Sequence, residues 1–355
     1  MNEKNLLFVL MAFLVSMAVS YLGTKPVMKL AYKIGAVDVP KDDRRMHDHP
    51  IPRIGGLAIF LGFLVSYLIF GTLDVETRAI LMGAVILVCL GVVDDIVALS
   101  AKVKLLVQLL AAAIPALCGV TVEFLNLPIG GPDNYLHFGM LSVPVTIVWI
   151  VGITNAVNLI DGLDGLAVGI SSIASMVMLA IAMLRSESYV AIAMAALLGA
   201  CLGFLPFNFN PARIFMGDTG ALFLGYVLAT LSVQGLFKFY AIISFAVPFL
   251  ILGLPIFDTA FAIVRRLLKG QSPFHADRGH VHHRLIDMGF DQKQAVTILY
   301  AISAVLGLLA VLLATSGESK IIFLALAAII CFYISVNVRR MGHNEVKPKG
   351  EDKHE

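Results

Sequence analysis

A chain of 355 residues that is 59% hydrophobic and only 14% charged, with a mean hydropathy of +0.90, is too apolar for an ordinary soluble domain. A formal net charge of +2 decides nothing by itself, because in a membrane protein the placement of charge carries the information, and no nucleic-acid partner is expected. The four cysteines all fall inside apolar stretches without a CxxC pair, which suggests neither a disulfide framework nor a thiolate metal site, and they read as small core residues.

Eleven apolar runs follow in chain order, at about 6–23, 55–71, 79–93, 105–119, 141–157, 166–184, 189–206, 221–236, 241–264, 295–314 and 320–337. Helices are expected for all of them. Inside a bilayer every backbone amide needs an internal partner, and a barrel would alternate short strands instead. Residues 1–23 hold one cation, Lys4, and no clear cleavage site, so they read as a retained first helix. Alternate loops and the tail carry 21 of the 26 Lys and Arg residues, which sets the N-terminus outside and the C-terminus inside. The expectation is an all-α polytopic membrane protein with about eleven transmembrane helices. Residues 1–338 would form one domain and 339–355 a polar, disordered cytoplasmic tail. Among the outer segments only Thr121 to Gly139 is long, with a Pro128 to Pro132 turn suited to joining two short strands.

Acids and histidines recur on one side of this pattern. The first inner loop holds Lys25, Lys29, Lys33, Lys41, Arg44, Arg45, His47 and Arg53; most of that charge is topogenic and faces anionic head groups. Arg53, just before Gly55-Gly56, is the member placed to meet a ligand phosphate. Asp94-Asp95 ends the third run, where adjacent carboxylates can share a divalent cation or hold one member as a base; a solvated loop start is the plain alternative. Asn158, Asp161 and Asp164 follow the fifth run at spacings that share one helical face, with Gly162 and Gly165 admitting a ligand, or else form a simple Asp/Gly turn. Asp218, between Gly217 and Gly220, could cap the eighth helix or serve as a hard oxygen ligand for Mg2+. Asp258 lies within the ninth run after Pro248 and Pro255, which should bend it; Arg265 and Arg266 could neutralise this carboxylate. His280, His282 and His283 sit in a loop with Arg278 and Arg284. Without an HExxH pair or a nearby Cys, an anionic ligand suits them better than zinc.

Carboxylates, cations and glycine-rich loops at one membrane face suit a polyphosphate reacting with a lipid-borne phosphate, since phosphoryl transfer needs charge neutralisation and positioning above all. There is no Walker A loop. Val168-Gly169 stands where a CDP-alcohol phosphotransferase would have Ala-Arg, and Phe215 replaces the first glycine of an intramembrane aspartyl protease motif. A transporter or channel is the rival class, but it would place polar groups near mid-membrane and show repeat symmetry.

Six ordered motifs, Pro52 to Gly56, Asp94-Asp95, Asn158 to Gly165, Asn208 to Gly220, Pro255 to Asp258 and His280 to Arg284, closely resemble those of the polyprenyl-phosphate N-acetylhexosamine-1-phosphate transferases. Within that family the chain looks like the WecA/TagO branch, because Val281 interrupts the contiguous histidine string of the branch that builds lipid I. The resemblance implies transfer of GlcNAc-1-phosphate from UDP-GlcNAc to undecaprenyl phosphate, with Mg2+ as cofactor and Mn2+ as substitute. UDP-MurNAc-pentapeptide or another UDP-N-acetylhexosamine is the alternative donor. It implies Asp218 as the principal metal ligand, Asp94 as base or orienting group, and Asp95 beside it as a second ligand. Asn158, Asp161 and Asp164 would line the nucleotide pocket, Phe215 would stack on uracil, and His282 and His283 would contact the diphosphate. Arg53, Asp258, His280 and Arg284 complete the expected substrate contacts. A bacterial cytoplasmic membrane location, surrounding membrane lipids, a homodimer and inhibition by tunicamycin are further implications.

Overall fold

The computed structural model describes residues 2–39, 50–126, 135–237, 243–271 and 279–315. Ten of the eleven apolar runs fall in helices. These are α1 (Glu3–Ile34), α2 (Gly56–Phe70), α3 (Val75–Val97), α4 (Ala101–Leu117), α5 (Ser142–Ile160), α6 (Leu166–Leu184), α7 (Ser188–Asn208), α8 (Gly217–Ser232), the pair α9 (Ile243–Ile251) and α10 (Gly253–Leu268), and α12 (Gln292–Ala314). Among the described residues six helices are long and apolar enough to cross a membrane. The eleventh run at 320–337, the expected tail at 339–355 and the centre of the Pro128 turn lie outside the described residues.

The helix ends obey local chemistry. Asp74 caps α3 by accepting from Thr77 N–H at 2.7 Å, and Asp291 with Gln294 forms a reciprocal capping box on α12. The run at 241–264 breaks at Leu252 between Pro248 and Pro255, as two helix-breaking residues so spaced require. On the far side, β3 (Phe124–Asn126) pairs antiparallel with β4 (Tyr135–His137), the expected hairpin. One expectation fails here: the histidines do not lie in a loop. His280 is the N-cap of a short helix, α11 (Val281–Asp287), so the ring positions are set by helical geometry.

α7 and α8 form the centre; every residue of α8 from Thr219 to Ser232 is buried. Without a hydrophobic force between helices in lipid, close approach and interhelical hydrogen bonds do the packing. Ser16 and Ser20 of α1 donate to the carbonyls of Ala196 and Ala200 on α7, at 2.5 and 2.7 Å. Gly56 of α2 lies so near Gly220 of α8 that a Cβ on either would strike the other's surroundings. This tight seam carries Asp218, at the start of α8, to the end of the bundle where α3 and α5 finish and α4 begins.

Candidate active site

Residues 51–56 build one wall. β1 (Val37–Asp38) pairs with β2 (Ile51–Pro52), and the chain then clamps the approach to α8: Phe215 N–H donates to Pro52 O, while Gly55 and Gly56 donate to Phe215 O and Met216 O, at 2.8–2.9 Å. Gly217 follows in the left-handed region (φ 68°), and a side chain there would collide with Arg53 O and the Asp95 carboxylate.

Asp95 explains that closeness. Its Oδ1 accepts from Asp218 N–H at 3.0 Å, and its Oδ2 accepts from the Thr219 N–H at 3.0 Å and hydroxyl at 2.7 Å. Arg53 Nε lies 3.3 Å from Oδ1. Asp95, not Asp218, therefore caps α8, and with both oxygens engaged it positions the site instead of facing into it. Asp218 is freed from the capping role the sequence allowed it.

Asp94, although itself buried, and Asp218 are open in the sense that each turns one oxygen to a cation. Lys104 Nζ bridges them, 3.0 Å from Asp94 Oδ2 and 2.9 Å from Asp218 Oδ2. Leu99 N–H donates to Asp94 Oδ1 at 2.6 Å, and the Asn158 amide donates to Asp218 Oδ1 at 3.1 Å. Sequence reading missed Lys104. A signal was present: Ser100 caps α4, which puts Lys104 near a helix N-terminus, where the macrodipole disfavours a cation and some other partner must hold it.

The helix that was to align Asn158, Asp161 and Asp164 stops at Ile160, and the three diverge. Asn158 reaches Asp218. Half-buried Asp161 sits in the turn, where burial first, then the charges of Asp218, Asp95 and Asp164, push its pKa up to about 8. Asp164 turns the other way, accepting from the Asn210 amide and Ala212 N–H, each at 3.0 Å, and so staples the 210–212 loop.

Asp258 is likewise a brace. Its Oδ2 lies 2.8 Å from His280 Nδ1 and its Oδ1 accepts from Val281 N–H at 2.8 Å, so the carboxylate anchors the start of α11 and its close partner is a histidine, not Arg265 or Arg266. The His280, His282 and His283 rings follow one another at centroid distances of 5.8 and 4.3 Å. His282 Nε2 lies against Gly162, leaving no room for a side chain there, while its buried Nδ1 has no hydrogen-bond partner among the described residues. Burial and neighbouring His283 lower the His282 pKa to about 4, so the ring is neutral near pH 7. Half-buried Phe215 stands two residues from Gly217. Arg284 is exposed and lines a cleft with Phe261, Val264, Arg265, Leu268 and Lys269.

Among the described residues no group of three or more His, Cys, Asp or Glu could form a complete metal cage. Mg2+ needs none, since it is commonly held by one or two carboxylates plus substrate phosphates. The Oδ2 atoms of Asp94 and Asp218, which converge on one cationic group, fit that ion; Asp95, engaged by backbone and hydroxyl donors, fits less well.

The glycosyl transferase family 4 pattern matches residues 77–236, the stretch bearing Asp94, Lys104, Asn158, Asp161 and Asp218. A Bacillus subtilis (strain 168) protein, described as a probable undecaprenyl-phosphate N-acetylglucosaminyl 1-phosphate transferase, is 40% identical over 98% of this chain and 97% of its own length. The chain belongs to the polyprenyl-phosphate N-acetylhexosamine-1-phosphate transferase family. A decaprenyl-phosphate N-acetylglucosaminephosphotransferase of Mycobacterium tuberculosis is 35% identical, with 79% of this chain and 76% of that protein covered. A phospho-N-acetylmuramoyl-pentapeptide-transferase of Clostridium beijerinckii is 30% identical over 86% and 95%. In this member of the family, the matched segment supplies the acid cluster, and Arg53 and the α11 histidines add groups from outside it.

Proposed function

We propose that this protein transfers GlcNAc-1-phosphate from UDP-GlcNAc to undecaprenyl phosphate, releasing UMP, at the cytoplasmic face of a bacterial membrane. The observation that carries the reading is the convergence of Asp94, Asp218, Asn158 and Lys104 where four apolar helices begin or end. The names of the Bacillus and Mycobacterium relatives support the sugar and the polyprenyl acceptor.

In the reaction an oxygen of the lipid phosphate attacks the phosphorus bonded to the sugar. The bond to the UMP oxygen breaks and UMP leaves with the electron pair, so one diphosphate linkage replaces another. Mg2+, or Mn2+ in its place, held by Asp218 with Asp94, would neutralise the donor diphosphate. Asn158 fixes the Asp218 carboxylate, and Asp95 holds the α8 terminus that presents it. Asp161, with its raised pKa, can hold or pass a proton near neutral pH. Neutral His282 offers a buried ring nitrogen unpaired among the described residues, and His283 stands beside it. Phe215 offers an aromatic face for the base, and Arg53 a partly exposed cation for a phosphate. An apolar cleft between α5 and α10, walled by Val148, Trp149, Ile153, Ile256 and Ile263, ends near Ala156, two residues before Asn158, and suits a prenyl chain.

The charge bias supports eleven spans with the N-terminus outside. Cysteine labelling from outside should then reach the 121–139 segment but not 271–284, and the reverse pattern would overturn the orientation. The activity itself is tested by UMP release from UDP-GlcNAc by purified protein with Mg2+. Release should require undecaprenyl phosphate, stop with chelator and be inhibited by tunicamycin. Preference for UDP-MurNAc-pentapeptide would move the protein to the branch of the Clostridium relative, and turnover without a polyprenyl acceptor would sink the reading.

A further inference from the structure

One half-buried cation belongs to this convergence but has been given no role in the transfer step. Lys104 leaves the first turn of α4 and ends between two carboxylates carried by α3 and α8, with only 26% of its side chain exposed. The division of oxygens is regular. Asp94 Oδ1 is held by Leu99 N–H and Asp218 Oδ1 by the Asn158 amide, whereas both Oδ2 atoms are satisfied by the same ammonium, at 3.0 and 2.9 Å. The backbone and Asn158 thus fix the two carboxylates in place, and the atoms left for a cation are those Lys104 covers.

We propose that Lys104 is a built-in counter-ion which occupies the cation position in the metal-free enzyme, is displaced when the divalent ion binds, and then pairs with substrate phosphate. This rests on the reading of Asp94 and Asp218 as the metal ligands. The physical reason is charge balance. Two carboxylates held this close repel each other strongly at partial burial, so an empty site without Lys104 would strain the α3–α8 seam. A resident ammonium relieves the repulsion but must be expelled by the metal, which weakens metal binding. Arrival of an anionic diphosphate gives the expelled ammonium a new partner. Metal and donor therefore bind cooperatively, each raising the affinity for the other by the same factor.

The test uses full-length protein in detergent and Mn2+ alone as the probe, with bound and free ion counted by electron paramagnetic resonance. Lys104→Met should bind Mn2+ about tenfold or more tightly than wild type, because its competitor is gone. The same variant should show a lower metal-free unfolding temperature and a larger rise on adding Mn2+. Equal or weaker Mn2+ binding by the variant, beside clear binding by wild type, would overturn the exchange while leaving the metal reading intact. No Mn2+ binding by wild type would overturn both. A second measurement needs no variant: acetic anhydride labelling of wild-type Lys104, quantified by mass spectrometry, should rise when Mn2+ is added. Labelling that is unchanged or reduced by Mn2+ would reject the displacement.

Discussion

The α3–α4 corner and the α5–α6 turn each present two aspartates to the same end of the bundle, and in both one carboxylate is consumed by backbone while the other faces the site. Asp95 and Asp164 are the consumed members; Asp94 and Asp161 are the open ones. The two regions differ in how strongly the brace is built and how the open acid is balanced. Asp95 is fully buried and satisfies two N–H groups and a hydroxyl at the start of α8, with Arg53 alongside. Asp164 is half-buried and holds one N–H and one amide of a loop. Asp94 meets an ammonium, whereas the Asp161 carboxyl has no hydrogen-bond partner among the described residues and is pushed up to about 8. A shared sequence signature thus conceals four different jobs, assigned by what lies opposite each oxygen.

Neutralising the open acids at the cation position should have the largest effect. Asp218→Asn and Asp94→Asn keep size and much of the hydrogen bonding but remove the charge, so turnover should drop on the order of 10²–10³-fold, as when a transition-state electrostatic contact is lost. Unfolding temperature should change little, and UMP release near the wild-type rate would remove that residue from the site.

Breaking the stronger brace comes next. Asp95→Ala leaves three donors of the α8 terminus without a partner and should cost about 2–4 kcal/mol of stability. Denaturant unfolding followed by tryptophan fluorescence from Trp149 would measure it; Asp95→Asn, which retains an acceptor, should recover part of the loss. A neutral Asp95→Ala would show that the cap is not needed. For the weaker brace, Asp164→Ala should cost only about 1–2 kcal/mol by the same measurement. Equal losses for the two would erase the distinction between them.

The smallest effect is a slope. Because the folded pKa of Asp161 is raised to about 8 from 3.8, the native carboxyl stays protonated across a range where the unfolded one ionises. Its contribution therefore favours the fold most at the acid end and is lost as pH rises towards 8. Asp161→Asn should flatten the stability profile of metal-free protein between about pH 5 and 8. An identical slope in wild type and variant would show that Asp161 titrates normally.

Helix content and the break between α9 and α10 were legible because they depend on local facts: continuous apolar runs, caps and two prolines. So were the motif segments, since carboxylates at recurring membrane exits stand out against apolar surroundings. Roles within a motif were less legible. Asp94 and Asp95 are neighbours in sequence, yet successive residues of a helix point about 100° apart, so one meets α4 and the other meets α8. Asp258 read as a substrate contact or a neutralised charge, and its histidine partner comes from 22 residues further along. Lys104 went unnoticed because its two partners lie 10 and 114 residues away.

The sequence by itself determined that this is an apolar helical membrane protein of the polyprenyl-phosphate N-acetylhexosamine-1-phosphate transferase family, because composition, periodicity and ordered motifs are properties of the chain read along its length. Only the tertiary structure decided which aspartates are braces and which are open, that α8 is capped from α3, and that an ammonium from α4 stands between Asp94 and Asp218. A carboxylate's task depends on the donors facing its two oxygens, and across packed helices those donors come from residues far away in the chain.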